Sequence, residues 1–406
     1  MADSATEAQA GKAKTESAQR PRMTQLRVAY GNALIAARGY GARETTETFA
    51  RIRESESGEG YTPARLAADY GLWVGSYVRG ELPAMKAHAA AFLRDVAARP
   101  DSPEAGVAHR VVGNTHWFAG EYVEARDHLE RALALFRPGR DDDLAFRFGH
   151  DVGVADMLFL AIALWPLGEI ERAVSLVGSA QVRIGGLAHV QTRALGRVLA
   201  AMFDLIRGDL SKLASNASEL ARVAREYDLD FWRPFGVFLE GLATAASGEI
   251  GSGLDGMRRG VDMLREQNVL FFDGLFKIAL AEAEFRAGDL DRAVAILDEA
   301  LATCDRSGYR AFEADLHRAR GEMLLRRDPA NRAPAEEAFV LAIAIAREQK
   351  ARSFELRAAL ALAKLYGSAG RPADADAVLA PALEGLVPTS EFPEIAEAQT
   401  LLAALA

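Results

Sequence analysis

The chain has 406 residues, half of them hydrophobic and 26% charged, with a formal net charge of -9. That acidic balance leaves no electrostatic footprint for nucleic acid or an anionic membrane. The single cysteine, Cys304, cannot form an intrachain disulfide, which fits a reducing compartment such as a bacterial cytoplasm. Alanine, the strongest helix former, fills 79 positions, a share that excludes a strand-rich protein and points to an all-α chain.

In chain order, Met1 to Arg22 are small and polar, with mixed charges and no apolar stretch. Residues 1–22 are expected to form a disordered tail rather than a secretory signal or membrane anchor. Beyond them a short pattern recurs: glycine, usually an acidic residue, then an apolar one. It appears as Gly80-Glu81-Leu82, Gly120-Glu121-Tyr122, Gly168-Glu169-Ile170, Gly208-Asp209-Leu210, Gly248-Glu249-Ile250, Gly288-Asp289-Leu290 and, degenerate, Gly370-Arg371-Pro372, at intervals of 40, 48, 40, 40, 40 and 82 residues. The last interval holds an eroded copy at Arg327-Asp328-Pro329-Ala330. A fixed period near 40 marks a solenoid.

Each glycine lies between two amphipathic segments, where the first helix must end in a left-handed residue. The acidic residue suits the positive N-terminal end of the second helix. Seven places before the glycine stand Gly113, Ala161, Ala201, Gly241, Ala281, Gly321 (counted from Asp328) and Ala363, with Trp73 in the first copy; five places after it stand Ala125, Ala173, Gly253, Ala293, Ala333 (again from Asp328) and Ala375, with Met85 and Leu213 breaking the pattern. Small residues at fixed phases are what two closely packed helices need. The expected architecture is an all-α, right-handed α-solenoid of tetratricopeptide-like helix hairpins over residues 23–404. The longest apolar run, Met157 to Leu167, is too short to cross a bilayer, which takes ~20 residues, and is expected to be a buried helix.

Longer stretches carry a further resemblance. Leu26 to Phe49 (LRVAYGNALIAARGYGARETTETF), Phe146 to Gly168 (FRFGHDVGVADMLFLAIALWPLG), Gly308 to Arg326 (GYRAFEADLHRARGEMLLR) and Ala335 to Leu383 resemble the C-terminal tetratricopeptide region of large bacterial proteins that join a class III adenylate or guanylate cyclase domain to an AAA-type ATPase domain. The resemblance implies a non-catalytic, protein-interacting region. No G-x-x-x-x-G-K-[ST] phosphate loop occurs, and the residues ahead of Leu26 are too few for a cyclase domain. No catalytic role is therefore carried over to any residue, and no cofactor is expected.

The resemblance to tetratricopeptide solenoids also implies that residues ten and six places before each glycine face a concave groove. The partner-binding candidates on that face are Asn114, Leu158, Ile162, Val198, Met202, Phe238, Leu242, Glu282 and Glu322, with Arg318, Leu360 and Lys364 at equivalent places. An apolar middle flanked by polar ends would suit a partner helix or an extended peptide. A tightened superhelix would instead bury the middle positions against the opposite wall. A second column, fifteen and eleven places before the glycine, is expected to pair Arg233 with Asp273 and Lys277 with Glu313 between repeats.

Other chemistry is sparse. Arg147, His150 and Asp151 are a possible ligand contact beside the 48-residue interval, although Asp151 could equally cap a helix starting near Val152 while Arg147 pairs with a carboxylate. Gly251-Ser252-Gly253-Leu254-Asp255-Gly256 matches a dinucleotide fingerprint but lacks the strand that such a site needs ahead of it. His109 and His116, seven apart, lack a third donor, so no metal is expected. The expected function is a non-enzymatic, cytoplasmic scaffold or regulatory module of bacterial signalling that binds a protein or peptide, with a cyclase or ATPase component among the candidate partners. The alternatives are a small-molecule-sensing domain and a relative of a cyclase.

Overall fold

The computed structural model describes residues 26–31, 33–35, 39–56 and 62–405; the tail expected at 1–22 lies outside them. No strand occurs among the described residues. Helix α1 (Arg43–Ser55) precedes a series of helix hairpins. The first four are α2 (Pro63–Arg79) with α3 (Leu82–Val96), α4 (Pro103–Phe118) with α5 (Tyr122–Leu135), α7 (Val152–Leu164) with α8 (Ile170–Gly185), and α9 (Val190–Arg207) with α10 (Leu210–Glu226). The next four are α11 (Arg233–Ala246) with α12 (Ile250–Glu266), α13 (Asp273–Arg286) with α14 (Leu290–Ser307), α15 (Glu313–Arg327) with α16 (Ala333–Glu348), and α17 (Arg352–Ser368) with α18 (Pro372–Leu383). A single helix, α19 (Glu394–Leu405), follows. The chain is an α-solenoid of tetratricopeptide-like hairpins.

The repeat glycines close the hairpins as their spacing predicts. Gly80, Gly120, Gly168, Gly208, Gly248, Gly288 and Gly370 have φ between 71° and 109°, a region that only glycine enters cheaply. After Gly208 and Gly288, Asp209 and Asp289 accept hydrogen bonds from the backbone N–H of Lys212 and Arg292 and so cap the second helix. The 48-residue interval holds the extra helix α6 (Leu144–Phe148), whose Phe148 is buried against Tyr70 and Phe92. The insertion is thus a packing wedge. Every residue of α7 is buried, which accounts for its all-round apolar sequence.

The G-x-G-x-x-G stretch lies on α12, where a Cβ at Gly253 would stand 2.4 Å from Ala245 N and one at Gly256 would stand 3.0 Å from Gly241 Cα. Those glycines let α11 and α12 touch backbone to backbone; they do not cradle a phosphate.

Between hairpins the chain turns at Asp228, Asn268, Gly308 and Lys350, all with positive φ, and four residues after each comes a buried aromatic: Trp232, Phe272, Phe312 or, two per cent exposed, Phe354. These connecting segments reach across to the first repeats. Leu270 N–H donates to Val78 O (2.7 Å), Arg310 N–H to Phe118 O (2.8 Å) and Ser353 N–H to Pro166 O (3.0 Å). Tyr122 donates to Ala311 O, Ser353 Oγ to Trp165 O, and Arg207 pairs with Glu391, across 189, 188 and 184 residues. One turn of the superhelix therefore takes about 190 residues, between four and five repeats, and its second turn lies directly on the first. Among the described residues no helix is long and apolar enough to cross a membrane.

Candidate functional site

The tight superhelix decides which inner-face residues stay reachable. Leu158, Val198, Met202 and Phe238 are fully buried, and Asn114 and Ile162 are 1% exposed. These six were expected to line an open groove and instead lie in the interior. Closure of the superhelix brings the inner faces of α4, α7, α9 and α11 against neighbouring and second-turn aromatics: Phe238 packs on Phe276 (4.4 Å between ring centres), and Trp165 sits between Phe203 and Phe392 (5.6 and 5.4 Å).

Further along, the same face remains open. Two hollows of about 260 and 450 Å³ adjoin through shared walls at Arg318, Glu322 and Arg357. The first is floored by Leu205 and Ile206 of α9, Leu242 of α11 and Ile278 of α13; the second is lined by Leu360 and Lys364 of α17 and by Glu394 and Glu397 of α19. Leu242, Glu282 and Glu322, three of the expected partner-binding residues, face this channel, as do Arg318, Leu360 and Lys364.

Charges along the channel are paired on its own walls. Arg318 donates to Asp315 (2.5 Å) and Glu322 (2.8 Å), and although burial works against its charge, those two carboxylates hold the guanidinium above its ordinary pKa. Burial pushes the Glu282 carboxyl up, against the pull of Arg326 at 3.4 Å. Lys364 pairs with Glu397 (2.7 Å). Arg357 bridges two superhelical turns, donating to Ile206 O (2.7 Å) and to Glu394 Oε1 (2.8 Å). Glu394 Oε2 is buried and has no hydrogen-bond partner. The channel thus combines an apolar floor, balanced walls and one carboxylate oxygen with unused capacity.

The second charge column differs from expectation. Arg233 pairs with Asp230 (2.7 Å), Lys277 with Glu299 (3.2 Å) and Glu313 with Arg310 (2.6 Å). Each side chain meets a partner in its own turn or on the second helix of its own hairpin, so no ladder between first helices forms. The triplet at the 48-residue interval also separates. Arg147 pairs with Glu104 (2.7 Å), while Asp151 caps α7 through Val154 N–H (2.8 Å) and binds Arg183 (2.8 and 2.6 Å). His150 alone faces a cavity, in contact with Tyr70 Oη (3.3 Å). Burial pushes the Cys304 thiol up to about 12, which rules it out as a ready nucleophile. No group of three or more metal-ligating side chains occurs among the described residues.

Sequence reasoning missed the aromatic connecting segments that close the superhelix. Their signal was present: Phe231-Trp232, Phe271-Phe272, Phe312 and Phe354 recur at 40, 40 and 42 residues, out of phase with the glycine on which the repeats were aligned.

Fold and channel together define a tetratricopeptide-type α-solenoid with an inner-face channel. A family model described as tetratricopeptide repeat matches residues 106–131 and 275–299, on α4–α5 and α13–α14. The chain is similar to an uncharacterised protein of Rhizobium meliloti (strain 1021), 24% identical over 254 residues, which are 62% of this chain and 24% of that protein. It spans only about a quarter of that relative's length. Among solved structures, the Rap conjugation gene regulator of plasmid pLS20 in complex with the Phr* peptide is 12% identical, with a TM-score of 0.49 and coverage of 95% of this chain and 98% of that one. A signal transduction ATPase with a tetratricopeptide repeat sensor from Pyrococcus horikoshii is 12% identical, with a TM-score of 0.42 and coverage of 97% and 69%.

Proposed function

We propose that the chain is a protein-interaction module whose inner-face channel takes an extended peptide segment of a partner protein. The segment would be mainly apolar, with one basic side chain. The observation that carries this reading is Glu394 Oε2, buried and unpartnered beside the larger hollow, where a lysine or arginine of the peptide would complete it. The apolar floor at Leu242, Ile278 and Leu360 supplies burial for neighbouring side chains. A place in bacterial signalling, beside a cyclase or ATPase component, belongs to the same proposal. It is supported by the sequence resemblance and by a relative about four times the length of the matched stretch.

The test is selection of a random peptide library on the purified chain, followed by photo-crosslinking from a probe placed at Ile278 or, as a control, at the exposed Val340 of α16. Selected peptides are expected to carry a basic residue, to crosslink at position 278, and to lose at least tenfold in affinity with Glu394→Gln. Crosslinking at position 340 alone, or peptides indifferent to Glu394→Gln, would sink the channel reading.

A further inference from the structure

Another hollow lies on the seam between superhelical turns and shares no lining residue with the channel. It measures about 330 Å³, within the ~300–1,000 Å³ of small-molecule sites and far above the ~10–15 Å³ that one water needs. Arg79 and Gly80 of the first hairpin line one side, and α12, α13 and α14 with the segment ahead of α13 supply the rest. The apolar part of the wall includes Val261 and Leu264 of α12 and Phe276 of α13. A small organic molecule has room there and surface to bury.

Of the six charged side chains that line the hollow, four are paired. Arg79 donates to Glu81 (2.9 and 2.7 Å) and to Thr46 (3.0 Å), Arg265 pairs with Asp262 (3.1 Å), and Lys277 pairs with Glu299 (3.2 Å). Asp273 and Arg306, of opposite sign, have no ion-pair partner among the described residues and do not meet each other. Arg306 donates to the Thr303 hydroxyl (3.0 Å). Burial pushes the Asp273 carboxyl up, and Lys277 pulls against it from beyond ion-pairing distance, as do Arg265 and Arg306 more weakly. A half-buried carboxylate thus lacks the close cation that would answer it. Lys277, 4% exposed, makes one hydrogen bond with an ammonium that has three N–H groups to give.

We propose that this hollow binds a free α-amino acid with an apolar side chain. Such a zwitterion carries both missing partners on one small frame. Its ammonium would pair with Asp273, its carboxylate with Arg306 and the spare N–H groups of Lys277, and its side chain would lie on Val261, Leu264 and Phe276. A plain anion would leave Asp273 unanswered, and a plain cation would leave Arg306 so. The proposal does not depend on the channel, and failure of either leaves the other standing.

Leucine, methionine and phenylalanine are the probes, titrated by calorimetry into the full chain and followed by thermal melting. At least one is expected to bind, with a dose-dependent rise in melting temperature. The tightest is then compared with its analogue lacking the ammonium and its analogue lacking the carboxylate, which for leucine are isocaproate and isopentylamine. The amino acid is expected to bind at least tenfold tighter than either. Asp273→Asn is expected to remove its advantage over the acid analogue, and Arg306→Gln to narrow its advantage over the amine. No binding by any of the three probes would overturn the proposal. So would an acid or amine analogue that binds as tightly as the amino acid, or binding that neither substitution alters. If Asp273→Asn fails to fold, the analogue comparison on the unaltered chain and Arg306→Gln, at an exposed position, still decide.

Discussion

Glycines at the α11–α12 contact illustrate how one residue type can be required and dispensable within a single helix turn. Gly253 faces Ala245 N at 2.4 Å from a built Cβ, while Gly251 faces open space. Gly253→Ala should therefore cost about 1–3 kcal/mol by overpacking. Gly251→Ala should stabilise by about 0.4–1 kcal/mol by restricting the unfolded chain. Urea denaturation of the two variants checks both signs. A second residue-scale effect concerns protons. His128 Nδ1 lies 2.9 Å from His109 Nδ1, and burial, followed by His109 and His116, lowers His128 to about 4 from 6.5. Between those values the unfolded chain holds more protons than the folded one, so this contribution is present above pH 6.5 and is lost as pH falls towards 4. Burial pushes Asp69 and Asp204 up to about 6, and they act in the opposite sense. The effect is isolated by difference: His128→Phe should destabilise less, relative to the unaltered chain, at pH 5 than at pH 7.5. A pH-independent difference would remove His128 from the account.

At the scale of elements, the connecting segments matter as much as the helices. Phe271 is 2% exposed and packs on Tyr77 and Phe235, with ring centres at 4.9 and 5.1 Å. Phe271→Ala should cost about 3–5 kcal/mol, whereas Val340→Ala, half exposed on α16, should stay within about 0.5 kcal/mol; denaturation midpoints compare the two. The hairpins themselves were legible from the glycine period, because a left-handed turn and small contact residues are local requirements that recur in phase. The inner-face register was legible too, since Leu242, Glu282 and Glu322 do face the channel. What a local pattern could not give is the pitch of the superhelix. Pitch is set by contacts nearly 190 residues apart, such as Tyr122 with Ala311, and it decides that Val198 and Met202 are interior while Glu322 is reachable. The same contacts bring Arg110 and Asn114 to a cavity walled by Phe231 and Phe271, which no spacing on α4 alone would indicate.

For the whole molecule, closure of one turn upon the next rests on a short set of backbone acceptors, Val78 O, Phe118 O, Pro166 O and Ile206 O, each at or near the end of a first helix. Combining Tyr122→Phe, Ser353→Ala and Arg357→Leu should remove three of the linking side-chain bonds, at about 1 kcal/mol apiece. The radius of gyration from small-angle X-ray scattering should rise as the turns part. An unchanged radius would assign closure to aromatic packing alone. The seam has a further consequence for how the chain folds. A linear repeat array can nucleate anywhere and grow one unit at a time, since each repeat rewards only its neighbours. Here the fifth and later repeats complete the walls of the first, so early repeats remain unfinished until sequence nearly 190 residues downstream arrives. Such long loops slow folding and make it more cooperative. Deleting α17 to α19 should then loosen helices 151 to 188 residues away, with faster amide exchange at the ends of α7 and α9, whose Trp165, Pro166 and Ile206 they bind, which a one-dimensional stack would leave unchanged.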